Sequence, residues 1–263
     1  MVGKMYTAFF VGTAGSGKSQ LTATLAEYLK VYELDVATLN LDPGVIHLPY
    51  APDVDVRDYI DINEIMTEFE LGPNGGLVAA VDLITSESPT ILEELKDRSP
   101  DILLIDTPGQ MELFAFRPTG VIAAKEFGGD RCVLVNLMDA NLCQTPFGLI
   151  NSLTLSLSIY MRFFFPQLNL ISKIDLIDNN TRKEIDKWLE NNYVFEDAIN
   201  SQITGERREM AINLLRIIND LHLLAETFPL SSKANVNIDQ LYAKLQLIWQ
   251  GGEDFQVEDR VVH

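Results

Sequence analysis

A glycine-rich segment near the N-terminus constrains the fold of this chain more than any other feature. Gly12-Thr-Ala-Gly-Ser-Gly-Lys18-Ser19 matches the pattern G-x-x-x-x-G-K-[ST] at every fixed position. The apolar run from Tyr6 to Val11 before it predicts a buried strand, and the segment from Gln20 to Tyr32 after it predicts a helix. In this strand–loop–helix order, backbone N–H groups can turn inward and cradle phosphate oxygens. The segment therefore predicts a phosphate-binding loop.

Each residue of this loop has an expected role at a nucleotide. The Lys18 ammonium would reach the β- and γ-phosphates and take part in catalysis, and the Ser19 hydroxyl would bind Mg²⁺. A glycine-rich turn that binds nothing is the alternative, but it leaves a lysine without a role at the mouth of a sheet. The residues expected to contact the nucleotide here are Gly12, Thr13, Ala14, Gly15, Ser16, Gly17, Lys18, Ser19 and Gln20.

Strand-like and helix-like segments alternate along the chain. Most of the strand candidates are unbroken apolar runs, which is typical of strands buried on both faces of a parallel sheet. The alternation predicts one α/β domain over residues 1–263, a mostly parallel sheet flanked by helices in the three-layer P-loop NTPase architecture, with helical insertions at about 53–98 and about 179–226. The predicted strands are Met5–Val11, Val36–Leu41, Asp101–Ile105, Arg131–Met138, Gln167–Ile171 and Thr227–Leu230.

The connection between the second and third of these strands indicates which class of P-loop NTPase the chain resembles. About sixty residues of helical character separate them. A Ras-like GTPase would join the two strands by a short antiparallel hairpin, whereas a long crossover makes them parallel neighbours. This topology resembles the dimer-forming class of P-loop NTPases to which the signal-recognition and Min-type proteins belong. The helices predicted in the crossover are Ile60–Phe69, Leu77–Ser86 and Glu87–Asp97.

Two further helical segments carry structural expectations. The segment Phe147–Phe165 is apolar on nearly all sides, which predicts either a central core helix or a subunit interface. Thr181-Arg-Lys-Glu184 has the spacing of a capping box and predicts a helix start at Thr181. Arg57 and Arg117 are expected to form surface ion pairs rather than to act on a phosphate.

Charge and cysteine content limit the partners and the compartment. The formal net charge of −18 repels nucleic acid and anionic lipid, so we expect no direct nucleic-acid or membrane partner. Cys132 opens an apolar strand and is expected in the core, and neither it nor Cys143 has metal-ligand spacing, which fits a reducing cytoplasm. The N-terminal residues lead directly into the first strand, so we expect no signal peptide and a cytoplasmic location.

Two acidic residues follow predicted strands at the edge where parallel sheets bind ligands. Asp106 ends an apolar strand and turns into Thr107-Pro-Gly109, so it could hold Mg²⁺ through a water while the Gly109 N–H meets the γ-phosphate. Asp42 begins Asp42-Pro-Gly44 after the second strand. Either its carboxylate positions water or binds Mg²⁺ through a water, or it only forms the turn. The sequence leaves these alternatives open.

Two later motifs predict a guanine site. Leu170-Ile-Ser172-Lys173-Ile-Asp175 resembles the [NT]-K-x-D motif, with serine in place of the commoner asparagine or threonine, whose hydroxyl can still tie loops together. A carboxylate can accept from guanine N1–H and the exocyclic amine, whereas adenine offers neither donor there. The stem of Lys173 could lie along the base and sugar. The segment Ser231-Ser232-Lys233 resembles the S-A-K loop whose backbone contacts guanine O6.

A short turn motif completes a family resemblance that covers essentially the whole chain. Gly72-Pro73-Asn74 lies between the second and third predicted strands. Together with the phosphate-binding loop, Asp106-Thr-Pro-Gly-Gln110-Met-Glu112 and the two guanine motifs, it resembles the GPN-loop GTPase family. The resemblance implies a tight dimer in which Asn74 of one subunit reaches the nucleotide of the other. An amide would there supply a neutral donor to developing charge.

The resemblance also implies a set of partners and catalytic residues. Gln110 or Glu112 would position the attacking water, and the sequence does not rank them. Mg²⁺ would be the cofactor and GTP or GDP the bound nucleotide. Eukaryotic members are linked to RNA polymerase assembly and nuclear import, so a protein partner in complex assembly is conceivable. This chain lacks the long acidic tail of some members, which weakens that expectation here.

The sequence favours a homodimeric GTPase whose dimer geometry changes with the nucleotide, and three other functions compete with it. An assembly scaffold with negligible turnover would differ only in hydrolysis. A Min-type ATPase would carry an extra lysine early in its loop, where this chain has Thr13 or Ala14. A phosphotransferase would need a basic acceptor pocket, for which Arg207 and Arg208 are the candidates.

Overall fold

The computed structural model describes residues 5–250 and contains a seven-stranded sheet in which every strand pairs parallel to its neighbours. The strands are Tyr6–Gly12 (β1), Val36–Asn40 (β2), Val54–Asp55 (β3), Ile102–Asp106 (β4), Cys132–Asp139 (β5), Gln167–Ser172 (β6) and Thr227–Pro229 (β7). Their spatial order is β3-β2-β4-β1-β5-β6-β7.

Ten α-helices connect the strands within the described residues. They are Lys18–Val31 (α1), Ile62–Glu68 (α2), Pro73–Arg98 (α3), Met111–Phe114 (α4), Pro118–Gly128 (α5), Pro146–Phe163 (α6), Asn179–Glu190 (α7), Asn192–Gln202 (α8), Glu206–Asp220 (α9) and Ile238–Gln250 (α10). Within residues 5–250 no helix combines the length and the apolar character that crossing a bilayer requires.

Alternate residues of the sheet point into two apolar layers. Along β1, Phe9 is buried in the layer that α3, α5 and α6 cover, and Phe10 in the layer that α1 and α10 cover. Both side chains are fully buried. This arrangement gives the predicted three-layer α/β architecture, and it explains why the strands are apolar without interruption.

All six predicted strands are confirmed, with bounds that shift by at most one residue. The second and third of them, now β2 and β4, are parallel neighbours in register Val36 with Ile102, as the long crossover predicts. The sequence analysis missed β3, which pairs Val54 and Asp55 with β2. Two residues are too few to show a periodic pattern.

The crossover differs from the prediction of separate helices Leu77–Ser86 and Glu87–Asp97. The structure has one helix there, the 26-residue α3, which continues through Pro89. Proline cannot donate the hydrogen bond that the Thr85 carbonyl would receive. The Ser88 Oγ lies 2.9 Å from that carbonyl oxygen and 2.6 Å from the Glu126 carboxylate, and its single proton can serve one of them at a time. The chain stays helical through the proline.

Two other structural expectations have outcomes. The capping box at Thr181 is wrong: the N-cap of α7 lies three residues earlier, at Asp178, whose carboxylate accepts from the backbone N–H groups of Asn180 and Thr181. Helix α6 is a core helix. Its N-terminal half packs in a third apolar cluster with α8 and α9, and its C-terminal half packs below the sheet. The two halves of the helix pack against different apolar clusters, so the helix is apolar on more than one side.

Both cysteines are buried and unpaired. The core position predicted for Cys132 is confirmed. Burial raises the pKa of Cys132 to about 12 and that of Cys143 to about 11, so both thiols stay protonated and unreactive near neutral pH.

Candidate functional site

The phosphate-binding loop lies between the end of β1 and the start of α1, at the C-terminal edge of the sheet. Gly17 precedes the first helical residue with a left-handed φ of 98°, which favours glycine. Gly12 is needed for a different reason. A Cβ there would lie 2.6 Å from the Leu137 carbonyl oxygen on the neighbouring strand. The local geometry is therefore the strand–loop–helix arrangement that the sequence predicts.

Lys18 folds back across the mouth of this loop. Its Nζ donates to the carbonyl oxygens of Gly12 at 3.0 Å, Thr13 at 3.2 Å and Gly109 at 3.3 Å. Burial lowers the pKa of the ammonium, while the nearby carboxylates of Asp106 and Asp42 oppose that shift. The side chain is only 5% exposed. The ammonium is therefore a buried cation whose three N–H groups are all directed at backbone carbonyl oxygens around the loop.

Asp106 ends β4 beside the loop and is 1% exposed. Its Oδ1 has no hydrogen-bond partner among the described residues, and its Oδ2 accepts from the Tyr50 hydroxyl at 3.3 Å. Burial raises the pKa of this carboxyl to about 6, and the neighbouring Ser19 and Lys18 partly oppose the rise. A cation placed between Ser19 and Asp106 would offset the cost of burying this charge.

The donor set around Asp106 fits Mg²⁺. Within residues 5–250 no group of three or more His, Cys, Asp or Glu side chains could hold a metal ion. Mg²⁺ needs no such cage, because one or two carboxylates, waters and substrate phosphates commonly complete its coordination. The Ser19 hydroxyl and the unpartnered Asp106 oxygen are the protein groups available for that arrangement.

Asp42 joins the loop after β2 to the loop after β4. Its Oδ1 accepts from the Gly44 N–H at 2.9 Å, and its Oδ2 accepts from the Gly109 N–H at 2.9 Å. The carboxylate therefore forms its own turn, as one of the two alternatives from the sequence has it, and also holds the Gly109 N–H. Its role toward water or Mg²⁺ stays a prediction. The Gly109 N–H predicted to meet the γ-phosphate is donated to Asp42 in this structure. A γ-phosphate would have to compete with that bond.

A network that the sequence analysis did not find braces the Asp42 loop. Asn40 donates to Asp55 at 2.9 Å and to the Asp42 carbonyl at 3.2 Å. Arg57 makes two close contacts to the Asp55 carboxylate and donates to the Val45 carbonyl at 3.0 Å. The predicted ion-pair role of Arg57 is confirmed, as is that of Arg117, which pairs with Asp82.

The three residues of the predicted guanine motif lie where β6 ends. The Ser172 Oγ lies within hydrogen-bond distance of the Ser16 and Met138 carbonyl oxygens, at 2.8 and 3.1 Å. This confirms that the hydroxyl ties the phosphate loop to the base loops. Lys173 is left-handed, with φ 60°, and its Nζ pairs with Asp139 at 2.7 Å while its stem lies over Gly17.

Ser231 holds Asp175, the residue predicted to read guanine. The Ser231 Oγ donates to the Asp175 Oδ1 at 2.5 Å and accepts from the Ala234 N–H at 3.0 Å. Sequence reasoning chose Ser232 and Lys233 from this loop and missed Ser231 as a site residue. The structure gives the neighbouring Ser232 carbonyl a different contact, to the Thr24 hydroxyl at 3.4 Å. The extra serine in the motif was the only available signal.

The remaining predicted catalytic residues are exposed. Gln110 precedes α4 and Glu112 lies in its first turn, and the structure does not rank them as water-positioning groups. Asn74 is the second residue of α3. Leu77, the fifth residue of α3, lies beside the loop that carries Asp42, because a Cβ at Gly44 would lie 2.7 Å from the Leu77 side chain. The role predicted for Asn74 stays a prediction.

The chain is similar to known proteins over most of its length. A family model described as "Conserved hypothetical ATP binding protein" matches residues 10–251. GPN-loop GTPase 3 of Dictyostelium discoideum is 30% identical over 256 residues, which are 95% of this chain and 88% of that protein. GPN-loop GTPase 3 of Danio rerio is 27% identical over 97% of this chain and 91% of that protein.

Two further matches differ in coverage and in kind. GPN-loop GTPase 1 of Dictyostelium discoideum is 28% identical over 91% of this chain, and the chain spans 60% of that relative's length. A crystal structure of a GTPase from Pyrococcus abyssi in its apo form is similar with a TM-score of 0.83 and 28% identity. That similarity covers 93% of this chain and 98% of the archaeal one.

Proposed function

This chain belongs to the GPN-loop GTPase family and is a GTP hydrolase, and we propose that it works as a Mg²⁺-dependent homodimer. In this proposal, each site binds GTP or GDP, and GTP is hydrolysed to GDP and phosphate. The Asp175–Ser231 contact is the observation that carries the choice of nucleotide. The proposal also includes one GTPase domain over the chain, with the helical segments as insertions, and a cytoplasmic location.

The guanine assignment stands although the family model's description names ATP. Asp175 Oδ1 accepts from Ser231, and the second carboxylate oxygen remains for a ligand. Guanine presents two adjacent N–H donors on the edge that such a carboxylate would meet. Adenine presents an acceptor and no amine there, so it would leave the carboxylate facing a lone pair. The fixed acceptor therefore discriminates by charge and hydrogen bonding.

Hydrolysis measurements with several nucleotides test this assignment. Purified protein with Mg²⁺ should release phosphate from GTP over many turnovers, and far more slowly from ATP and UTP. The matched control is Lys18→Ala, which should lose activity on every nucleotide. Equal rates on GTP and ATP would contradict guanine selection. Binding of GTP without turnover would favour the scaffold, and a phosphorylated acceptor would favour the phosphotransferase.

In this proposal, the residues around the phosphate-binding loop have separate roles. Lys18 would give up its carbonyl partners and donate to the phosphates, and the Gly12–Ser19 backbone would supply further donors. Ser19 and, through water, Asp106 would hold Mg²⁺, which when bound neutralises developing phosphate charge. Asp42, Gln110 and Glu112 are the groups that could position the attacking water.

The homodimer part of the proposal rests on Asn74. Its amide is exposed at the N-terminus of α3, and Leu77 of that helix lies beside the loop that carries Asp42. A helix N-terminus favours negative charge, so this end of α3 suits an approach to a phosphate. In the dimer, Asn74 of one subunit would complete the other subunit's site, and assembly would be linked to hydrolysis. A protein partner in complex assembly remains part of this proposal.

A mixed dimer distinguishes the two places from which Asn74 could act. Asn74→Ala alone should lower GTP hydrolysis by about a hundredfold, as expected for loss of one preorganised donor. Mixing it with Lys18→Ala should restore part of the rate. In the hybrid, the Asn74→Ala subunit keeps an intact loop and receives Asn74 from its partner. Phosphate release by the mixture, compared with each variant alone, measures this.

Asn63→Ala is the matched control, because it removes another exposed amide from the same insertion. It should leave hydrolysis unchanged. A mixture with no more activity than its components, although mass spectrometry shows hybrid dimers, would place Asn74 in its own subunit's site. Molar mass measured with GDP and with a non-hydrolysable GTP analogue would show whether the nucleotide controls the dimer.

A further inference from the structure

Tyr50 contacts Asp106, the carboxylate expected to face Mg²⁺, and no sequence motif predicts this contact. It lies in the loop between β2 and β3, two residues before Pro52 and directly after Pro49. Its half-buried side chain reaches back to the end of β4, where the hydroxyl donates to the Asp106 Oδ2 at 3.3 Å. The contact joins positions that are 56 residues apart in the chain.

This contact makes the two oxygens of the Asp106 carboxylate unequal. Oδ2 faces the tyrosine hydroxyl, whereas the buried Oδ1 has no hydrogen-bond partner among residues 5–250. A donor on one oxygen restricts rotation of the carboxylate and leaves the other oxygen for a different ligand.

We propose that Tyr50 is a positioning residue for the magnesium site. Its hydroxyl holds the Asp106 Oδ2, which leaves Oδ1 available to the ion or to one of its waters. The inference rests on the proposed GTPase function and adds a residue to its metal side. The loop between β2 and β3 carries both Tyr50 and Asp42, which holds the Gly109 N–H. This one loop therefore contacts both the Asp106 carboxylate at the end of β4 and the glycine that follows it.

Tyr50→Phe tests the inference because it removes the hydroxyl and keeps the ring. Mn²⁺ is the probe, and its binding to the protein–GDP complex is followed by electron paramagnetic resonance. The variant should need about tenfold more Mn²⁺ for half-saturation, the loss expected for one hydrogen bond to a charged group. The affinity of the variant for GDP, measured in EDTA, should equal that of the unchanged protein. Its rate of GTP hydrolysis should be lower at limiting Mg²⁺ and should approach that of the unchanged protein at saturating Mg²⁺.

Tyr59→Phe is the matched control. The Tyr59 hydroxyl donates to Glu94 on α3. The variant therefore loses a comparable tyrosine–carboxylate hydrogen bond, but one that does not involve Asp106. Its Mn²⁺ titration should match that of the unchanged protein. Unchanged or tighter Mn²⁺ binding by Tyr50→Phe would overturn the inference. If the unchanged protein binds no guanine nucleotide, the proposed function itself fails, which is a different result.

A second readout does not depend on the folding of the variant. The protein contains eight tyrosines, all of which can be replaced by 3-fluorotyrosine. In the GDP complex, Mn²⁺ should broaden at least one fluorine resonance beyond detection, because Tyr50 contacts the carboxylate next to the ion. Mg²⁺ should leave that resonance visible. Persistence of all eight resonances with bound Mn²⁺ would contradict a tyrosine at the metal.

Discussion

Asp175→Asn should lower GDP affinity on the order of a hundredfold or more, because two hydrogen bonds to a charged acceptor are lost or weakened. The amide would also present a donor to the Ser231 hydroxyl or to the guanine amine, where the carboxylate presents only acceptors. Xanthine carries a carbonyl in place of that amine, so the variant should bind xanthosine diphosphate better than the unchanged protein does. Titration of GDP, xanthosine diphosphate and ADP into each protein measures the change in base preference.

Two variants frame this result. Asp197→Asn removes the same charge from an exposed position of α8 and should leave every affinity unchanged. Ser231→Ala should give a smaller loss of about tenfold, because it frees the carboxylate without removing it. If Asp175→Asn weakens GDP and ADP equally, the carboxylate does not select the base, and the guanine assignment is wrong.

Lys18→Ala should reduce GTP hydrolysis at least a hundredfold, because a buried cation that would donate to the phosphates is removed. The substitution also leaves the Gly12, Thr13 and Gly109 carbonyl oxygens without their ammonium donor. We therefore expect the nucleotide-free protein to change its melting temperature only modestly, since water can enter and replace that donor. Single-turnover hydrolysis and thermal melts separate the two effects.

Lys30→Ala is the control for this experiment, because it removes an exposed lysine from the last turn of the same helix. Its hydrolysis rate should equal that of the unchanged protein. Comparable activity in both lysine variants would show that the loop ammonium is not part of the chemistry. The claim that the glycine-rich segment is a catalytic phosphate site would then fail.

Contacts within one segment were predictable from the sequence, and contacts between distant segments mostly were not. Unbroken apolar runs such as Val133–Val135 indicate buried strands because such strands have no polar face. The contact of the Ser172 hydroxyl with the phosphate-binding loop could be predicted, because the motif that contains Ser172 lies at the end of a strand. Ser231 and Tyr50 reach their carboxylates across 56 residues each, and no spacing rule reports that.

The errors in secondary structure have equally specific causes. The predicted boundary between Ser86 and Glu87 is absent, because α3 runs through both residues and through Pro89 as one helix. Asp178 outcompetes the Thr181 capping box because its carboxylate accepts from two backbone N–H groups and from the Thr181 hydroxyl. At the start of α7 a side chain three residues away therefore decides the local structure, and its contact is visible only in three dimensions.

The contacts of Gly109 have a consequence for how a phosphate can be bound. Its N–H donates to Asp42 and its carbonyl accepts from Lys18, so this one residue links an anion and a cation of the phosphate side. A phosphate that takes either the Lys18 ammonium or the Gly109 N–H must displace a hydrogen bond already made within the fold. Binding at this point therefore exchanges hydrogen bonds and does not simply add them, so the net gain in free energy is smaller than the number of new phosphate contacts suggests.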